Sequence, residues 1–141
     1  MVDITHKNST HRTAIAEARV LVSQPDTIKA VEEHKVPKGN VFEFSRAAGL
    51  LAIKNTSAVI PDCHPLPVEF AQFSYEISGV EIIIRTEVQT IYKTGVEVEA
   101  MHGAMIAALT VYDMLKPLDK GVIITGVRLL EKRGGKSDFK Q

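Results

Sequence analysis

Lys93-Thr94-Gly95-Val96-Glu97-Val98-Glu99-Ala100 runs into an Ala- and Met-rich segment that closes with Tyr112-Asp113-Met114-Leu115-Lys116. Thr94 and Glu97 have the spacing of a capping box, in which a hydroxyl and a carboxylate three residues apart satisfy helix-start N–H groups, so a helix is predicted to begin here. From Ala100 to Leu115, apolar residues occupy nearly every direction around a 3.6-residue turn. Gly103, Ala104, Ala107 and Ala108 keep part of that surface small. A helix of this kind is buried on more than one side. Four charges, Glu97, Glu99, Asp113 and Lys116, stand at its two ends against that background.

Two extended runs precede the helix. Val68 to Ser78 and Val80 to Tyr92 are split by Ser78-Gly79, the signature of a hairpin. In the second run Ile82, Ile84, Val88 and Tyr92 share one face, while Glu81, Arg85, Glu87 and Gln89 share the other. One side of the sheet is therefore wet or paired with another chain. Pro117 ends the helix, and Gly121 to Leu130 reads as a final strand. Upstream, Ala14 to Val22 alternates as a strand, and Pro25-Asp26 opens a short helix to about His34. Lys38-Gly39-Asn40 opens a second helix, which runs to about Ile53. Strand, two helices, hairpin, long helix and strand make an α+β, ferredoxin-like βαββαβ arrangement, an antiparallel sheet with helices packed on one face. One domain spans 1–141, with 1–13 and 134–141 expected to be mobile edges.

Composition narrows the classes. With 45% hydrophobic residues in 141 and a net charge of +0, the chain holds a real core and has no global field to recruit nucleic acid or anionic lipid. One cysteine, Cys63, leaves no internal disulfide, and no stretch has the length of a membrane span, so the expected compartment is the cytoplasm.

Candidate chemistry lies at several points. Lys38 at a helix start opposes the macrodipole, which makes sense if it faces a bound anion; a plain surface lysine is the alternative. Asp62-Cys63-His64 sits in a loop stiffened by Pro61, Pro65 and Pro67. No second cysteine or spaced histidine pair completes a metal site, and adjacent residues in an extended loop point apart, which disfavours a Cys63–His64 nucleophile pair. His64 either meets a ligand or is fixed by hydrogen bonds beneath the loop. The basic, glycine-rich Lys132-Arg133-Gly134-Gly135-Lys136-Ser137 lacks the upstream glycine of a Walker loop, leaving a tail or a flap over a phosphorylated ligand. Glu99 and Asp113 project within about 40° of each other but are separated by roughly 21 Å along a continuous helix. Asp113 and Lys116, at i and i+3, share a face. If all four charges serve one kind of site, the two ends of the helix meet across a subunit interface.

Lys38-Gly39-Asn40-Val41-Phe42, Arg46-Ala47-Ala48-Gly49, Ile60-Pro61-Asp62-Cys63-His64-Pro65-Leu66, Lys93 to Ala100, Leu109 to Met114 and Val127 to Lys132 occur in one collinear order. In this the chain resembles the cyclic pyranopterin monophosphate synthase family, also called molybdenum cofactor biosynthesis protein C. The resemblance implies a lyase that rearranges a cyclised dihydro-GTP intermediate to cyclic pyranopterin monophosphate and releases pyrophosphate. It further implies a homo-oligomer, a hexamer built as a trimer of dimers, with active sites between subunits. It assigns catalysis to Asp113, Lys38 and Lys116. Substrate contacts fall to Asp62, Cys63, His64, Val98 and Glu99, with Glu97 close by, and triphosphate contacts to Arg12, Lys93 and the segment carrying Lys136. No resident metal or cofactor is implied, Mg2+ entering only alongside the substrate triphosphate. Asp113 is expected to act as a general acid/base of raised pKa. Asp62 departs from the family pattern, where that position is often apolar. A non-catalytic, oligomeric nucleotide-sensing module is the other function these features suit.

Overall fold

The central strand β1 (Thr10–Leu21) carries Ala14, Ala16, Ala18 and Val20 on one face, none with any surface exposed. Side chains this small let a helix lie close against the sheet. The computed structural model, which describes Met1–Gln141, continues through α1 (Pro25–Glu32), α2 (Val41–Lys54), α3 (Thr56–Val59) and β2 (Phe70–Ser78). It then forms β3 (Glu81–Tyr92), α4 (Glu97–Leu115), β4 (Ile123–Arg133) and β5 (Phe139–Lys140). The sheet order is β2-β3-β1-β4-β5. Every neighbouring pair is antiparallel. This is an α+β fold whose first four strands have the ferredoxin-like split βαβ order.

Glycine at 79, with φ +62°, supplies the left-handed turn of the β2–β3 hairpin. One core joins the even face of β1, Ile82, Ile84 and Val88 of β3, and Ala104, Ala107, Val111 and Leu115 of α4. Each fully buried Val, Ile or Leu side chain there contributes on the order of 1.5–3 kcal/mol. Helix α2 lies across α4 at two glycines: a Cβ on Gly49 would stand 3.0 Å from the carbonyl oxygen of Gly103, and one on Gly103 would stand 2.6 Å from Ile53 Cγ1. Ser45 donates to Ala107 O at 2.9 Å, and Tyr75 donates to Ser45 at 2.8 Å, tying both helices to β2. Phe42 stacks on Tyr75 with centroids 4.5 Å apart.

The opposite sheet face is wet and charged, as the alternation of β3 predicts. At its middle Glu17 is buried under Arg19, Arg85 and Arg128, at 2.9, 3.1 and 3.4 Å.

The structure departs from the sequence reading in three places. Helix α4 begins at Glu97 with Val96 as N-cap and no side-chain cap bond, so the Thr94–Glu97 capping box does not form. Glu97 is the first helical residue rather than the third, and its carboxylate turns away to Lys132. At the N-terminal edge, Thr10 to Thr13 belong to β1, paired with Tyr92 to Gln89, and Arg12 and Thr13 are buried. At the C-terminal edge, Phe139–Lys140 folds back as β5 on Lys132 and Glu131. Both edges find strand partners because the sheet continues past the stretches of obvious alternation.

Candidate active site

Helix α4 carries one cluster of functional side chains at each end. At its C-terminal end, Asp113 receives a lysine on each carboxylate oxygen. Lys116 Nζ is 2.8 Å from Oδ1, and Lys38 Nζ is 2.9 Å from Oδ2. Lys38 also donates to the main-chain oxygen of Asp113 at 2.9 Å. The i, i+3 spacing places Lys116, whereas Lys38 comes from the turn before α2. There Asn40 caps the helix by accepting from Glu43 N. Lys38 therefore reaches across to α4 instead of standing alone at a helix start. The cluster is open to solvent and bears two positive charges against one negative, an arrangement suited to a polyanion.

The Lys116 and Lys38 hydrogen bonds hold the Asp113 carboxyl below the ordinary aspartate range. This corrects the expected acid/base of raised pKa at Asp113. The residue is exposed and doubly ion-paired, so the upward pull of its partial desolvation is outweighed.

At the N-terminal end, a cavity of about 300 Å³ is lined by Asp62, Cys63, His64, Gly95, Glu97 and Val98, among others. The proline-bracketed loop supplies one wall and the first turn of α4 the other. Cys63 and His64 take separate partners, as expected of adjacent residues in an extended loop. The Cys63 thiol donates to Glu99 Oε1 at 3.6 Å. His64 Nε2 lies 2.8 Å from Val2 O, and since a carbonyl only accepts, Nε2 carries the hydrogen and Nδ1 is left as an acceptor. Burial, with Glu99 and Glu97 nearby, pushes the Cys63 thiol up to about 11, which removes any thiolate nucleophile at neutral pH. Asp62 lines the cavity, but its side chain is largely exposed and lies 3.4 Å from the Met1 amino group.

Glu97 is held by Lys132 at 3.1 Å. Glu99 is 3% exposed, and its Oε2 has no partner, like Oε2 of Glu97. Burial pushes the Glu99 carboxyl above the ordinary glutamate range, and Glu97 adds to this; its own backbone N–H and the Cys63 thiol pull the other way. Val98 projects to the surface at 39% exposure.

The remaining candidates fall elsewhere. Arg12 is buried beneath the β3–α4 connection, donating to Tyr92 O at 3.3 Å and Lys93 O at 3.2 Å. Its position makes it a brace for that connection. Lys93 is half-buried beside it, and Lys136 is exposed in the segment between β4 and β5. Sequence reasoning placed Lys132 only in a basic tail or flap and missed its pairing with Glu97. Alternation outward from Leu129, which pairs with Ala16 on the core side, would send Lys132 to the other face. A register shift between Ala16 and Ile15 reverses the alternation, so Lys132 pairs with Ala14 and reaches Glu97.

Two comparisons bear on this arrangement. The family model described as "MoaC family" matches residues 1–135. Three relatives, each named cyclic pyranopterin monophosphate synthase, align over 97% of the chain. The protein of Pelobacter propionicus is 48% identical, with 86% of its own length covered. That of Syntrophomonas wolfei is 44% identical, with 88% covered. That of Thermomicrobium roseum is 42% identical, with 83% covered.

Proposed function

Since the chain belongs to the MoaC family and is an enzyme of molybdenum cofactor biosynthesis, we propose that it converts the cyclised dihydro-GTP intermediate to cyclic pyranopterin monophosphate with release of pyrophosphate. One observation carries the reading of how it does so. The phosphate-suited cluster of Lys38, Asp113 and Lys116 and the ring-sized cavity at Cys63, His64 and Glu97 lie at opposite ends of α4. Glu99 and Asp113 are separated by about 21 Å along the helix. A single chain therefore offers two half-sites, and a complete site forms where one chain's lysine cluster meets another chain's cavity. The exposed apolar residues Met105, Leu109 and Tyr112 on α4, with Phe44 and Leu51 on α2, supply a surface for that contact. The assembly we favour is a hexamer, a trimer of dimers, working in the cytoplasm. No helix is long and apolar enough to cross a membrane.

In this reading Lys38 and Lys116 hold phosphate oxygens while the ribose hydroxyl attacks the α-phosphorus and pyrophosphate leaves. Asp113 keeps the two ammonium groups in register and, being ionised, is a proton acceptor. His64 presents Nδ1 to an N–H of the ring. No resident cofactor is required, and Mg2+ accompanies the triphosphate as its counterion.

The test is incubation with the cyclised intermediate, following pterin fluorescence after oxidation together with pyrophosphate. Asp113→Ala and Glu97→Ala should each lack product, and mixing and reassembling the two inactive proteins should restore part of the rate. Failure of the wild type to release pyrophosphate sinks the function, and failure of the mixture to recover sinks the shared site.

A further inference from the structure

The wet face of the sheet, on the side away from α4, holds a second charged cluster. Ser74, Arg85, Glu17 and Arg128 stand in one row across β2, β3, β1 and β4, because Ser74 pairs with Arg85 and Glu17 pairs with both Arg85 and Arg128. Glu17, at the centre, is 2% exposed. Burial opposes its charge, but the Arg19 guanidinium foremost, with that of Arg85, outweighs it and holds the carboxyl below the ordinary glutamate range. The three arginines are engaged to different degrees. Arg19 donates from Nε to Glu17 at 2.9 Å and from Nη1 to Glu81 at 2.8 Å, and Arg85 from Nε to Glu17 at 3.1 Å and from Nη1 to Glu76 at 3.4 Å. Arg128 has one contact, Nη2 to Glu17 Oε1 at 3.4 Å, on an oxygen that Arg19 already occupies. Most of its N–H donors meet no protein acceptor.

The chain leaves space beside that arginine. Gly126 pairs with Arg19, so a side chain at 126 would stand on the wet face, and a Cβ built there meets nothing within 4 Å. Thr125 is the residue left over at the register shift between Arg19 and Val20. The result is a hollow of about 500 Å³ lined by Glu17, Arg19, Thr125, Gly126, Val127 and Arg128. Its two guanidiniums face one carboxylate, and Glu81 offsets the outer end of Arg19, so the unmatched charge sits at Arg128. We propose that this hollow is a second ligand site, separate from the lysine cluster around Asp113, and that it binds a small phosphate oxyanion, free or carried by a nucleotide. Arg128 offers paired, parallel N–H groups that fit two oxygens of such an anion, and Arg19 adds its unused Nη2 from the other side. Glu17 is a positioning residue: it fixes the guanidiniums in place and does not touch the anion, which its charge would repel. Glu76 and Glu81 flank the arginines, so a long polyanion would meet their carboxylates and only a compact one fits.

Binding of inorganic phosphate, pyrophosphate and GTP is measured by calorimetry, with the Nε–H resonances of Arg19 and Arg128 as a local readout. The lysine cluster is silenced first, in a Lys38→Met, Lys116→Met double variant, which should still bind phosphate and shift both resonances. On that background Arg128→Lys, which keeps the charge and loses the paired donors, should weaken binding by about 10-fold. Gly126→Val fills the hollow with a residue that suits a strand, so it should weaken binding by at least about 10-fold while the melting temperature holds or rises. Should Gly126→Val fail to fold, Arg128→Lys, a change at a largely exposed side chain, decides the matter alone. Tighter binding of GTP than of phosphate assigns the hollow to a nucleotide's phosphates, and the reverse assigns it to the free ion. No heat and no shift in the double variant overturns the proposal. Binding that survives both Arg128→Lys and Gly126→Val also overturns it, marking an adventitious ion only. None of these readouts uses turnover, so they stand whether or not the proposed reaction is observed.

Discussion

Lys38 Nζ lies 2.9 Å from Asp113 Oδ2, joining residues 75 apart in sequence, and Lys116 takes the other oxygen of the same carboxylate at 2.8 Å. Asp113 therefore works as an anion that holds two ammonium groups in place. Asp113→Asn should lower turnover by about 10²-fold or more while leaving the melting temperature nearly unchanged, because exposed ion pairs contribute little to stability. Replacing Lys38 by Met should move the Asp113 titration up toward the ordinary value of 3.8, as read by carboxyl resonances. A large fall in melting temperature for Asp113→Asn would show the cluster to be structural.

Gly95 leaves room for the cavity glutamate. A Cβ built there would run into Glu97 Oε2, so Gly95→Ala has to shift that carboxylate, whose other oxygen is held by Lys132. The expected result is a loss of about 10-fold in GTP affinity with an intact fold, measured by calorimetry beside circular dichroism. Lys132→Met should produce a similar loss by freeing the same carboxylate. Unchanged affinity in both variants would remove Glu97 from the ring site.

Asp119 is a buried latch after α4. It accepts from Ser23 N and Ser23 Oγ, from Thr27 Oγ1 at 2.9 Å and from Gly121 N at 2.8 Å, joining the ends of β1 and α1 to the approach of β4. Burial opposes its charge, but these donors, Ser23 foremost, outweigh it and bring the carboxyl down to about 2 from 3.8. With the folded-state value depressed, its contribution is present above 3.8 and is lost as pH falls toward about 2. Asp119→Ala should cost on the order of 3 kcal/mol at neutral pH in denaturant melts and flatten the acid limb of stability in that window. An acid limb identical to wild type would refute the latch.

The α2–α4 crossing has no space for a methyl group. Gly103→Ala would drive a Cβ to 2.6 Å from Ile53 Cγ1, and Gly49→Ala to 2.5 Å from Phe73 Cζ. Each should destabilise by about 1–3 kcal/mol through overpacking, despite the helix propensity gained by alanine. Stabilisation of either variant would mean that the helices pack more loosely than these distances imply.

Much of the scaffold was legible because it rests on local periodicity. The alternation of Ile82, Ile84 and Val88, the Ser78-Gly79 turn and the all-round apolar run from Ala100 to Leu115 name a hairpin and a buried helix without any long-range information. The Asp113–Lys116 pair was legible for the same reason, since a 3.6-residue turn alone places them together. The separation of Glu99 from Asp113 also followed from helix geometry, and the proposal of a site shared with a second chain rests on it.

Tertiary structure decided what depends on register and burial. A capping box is a sequence spacing, but whether it forms depends on which residue starts the helix, and packing put that start at Glu97. The β4 register shift turned Lys132 toward Glu97, and no alternation pattern reveals a bulge. The states of the carboxyls were inverted as well. Asp113, expected to carry a raised pKa, is exposed between two lysines and held low, and the buried, poorly partnered carboxyl is Glu99. Sequence by itself determined which residues carry charge and which share a helix face, because those follow from the covalent chain and its turn geometry. Only the fold decided which charges meet water, a lysine or nothing at all, because desolvation and pairing are set by neighbours from distant parts of the chain.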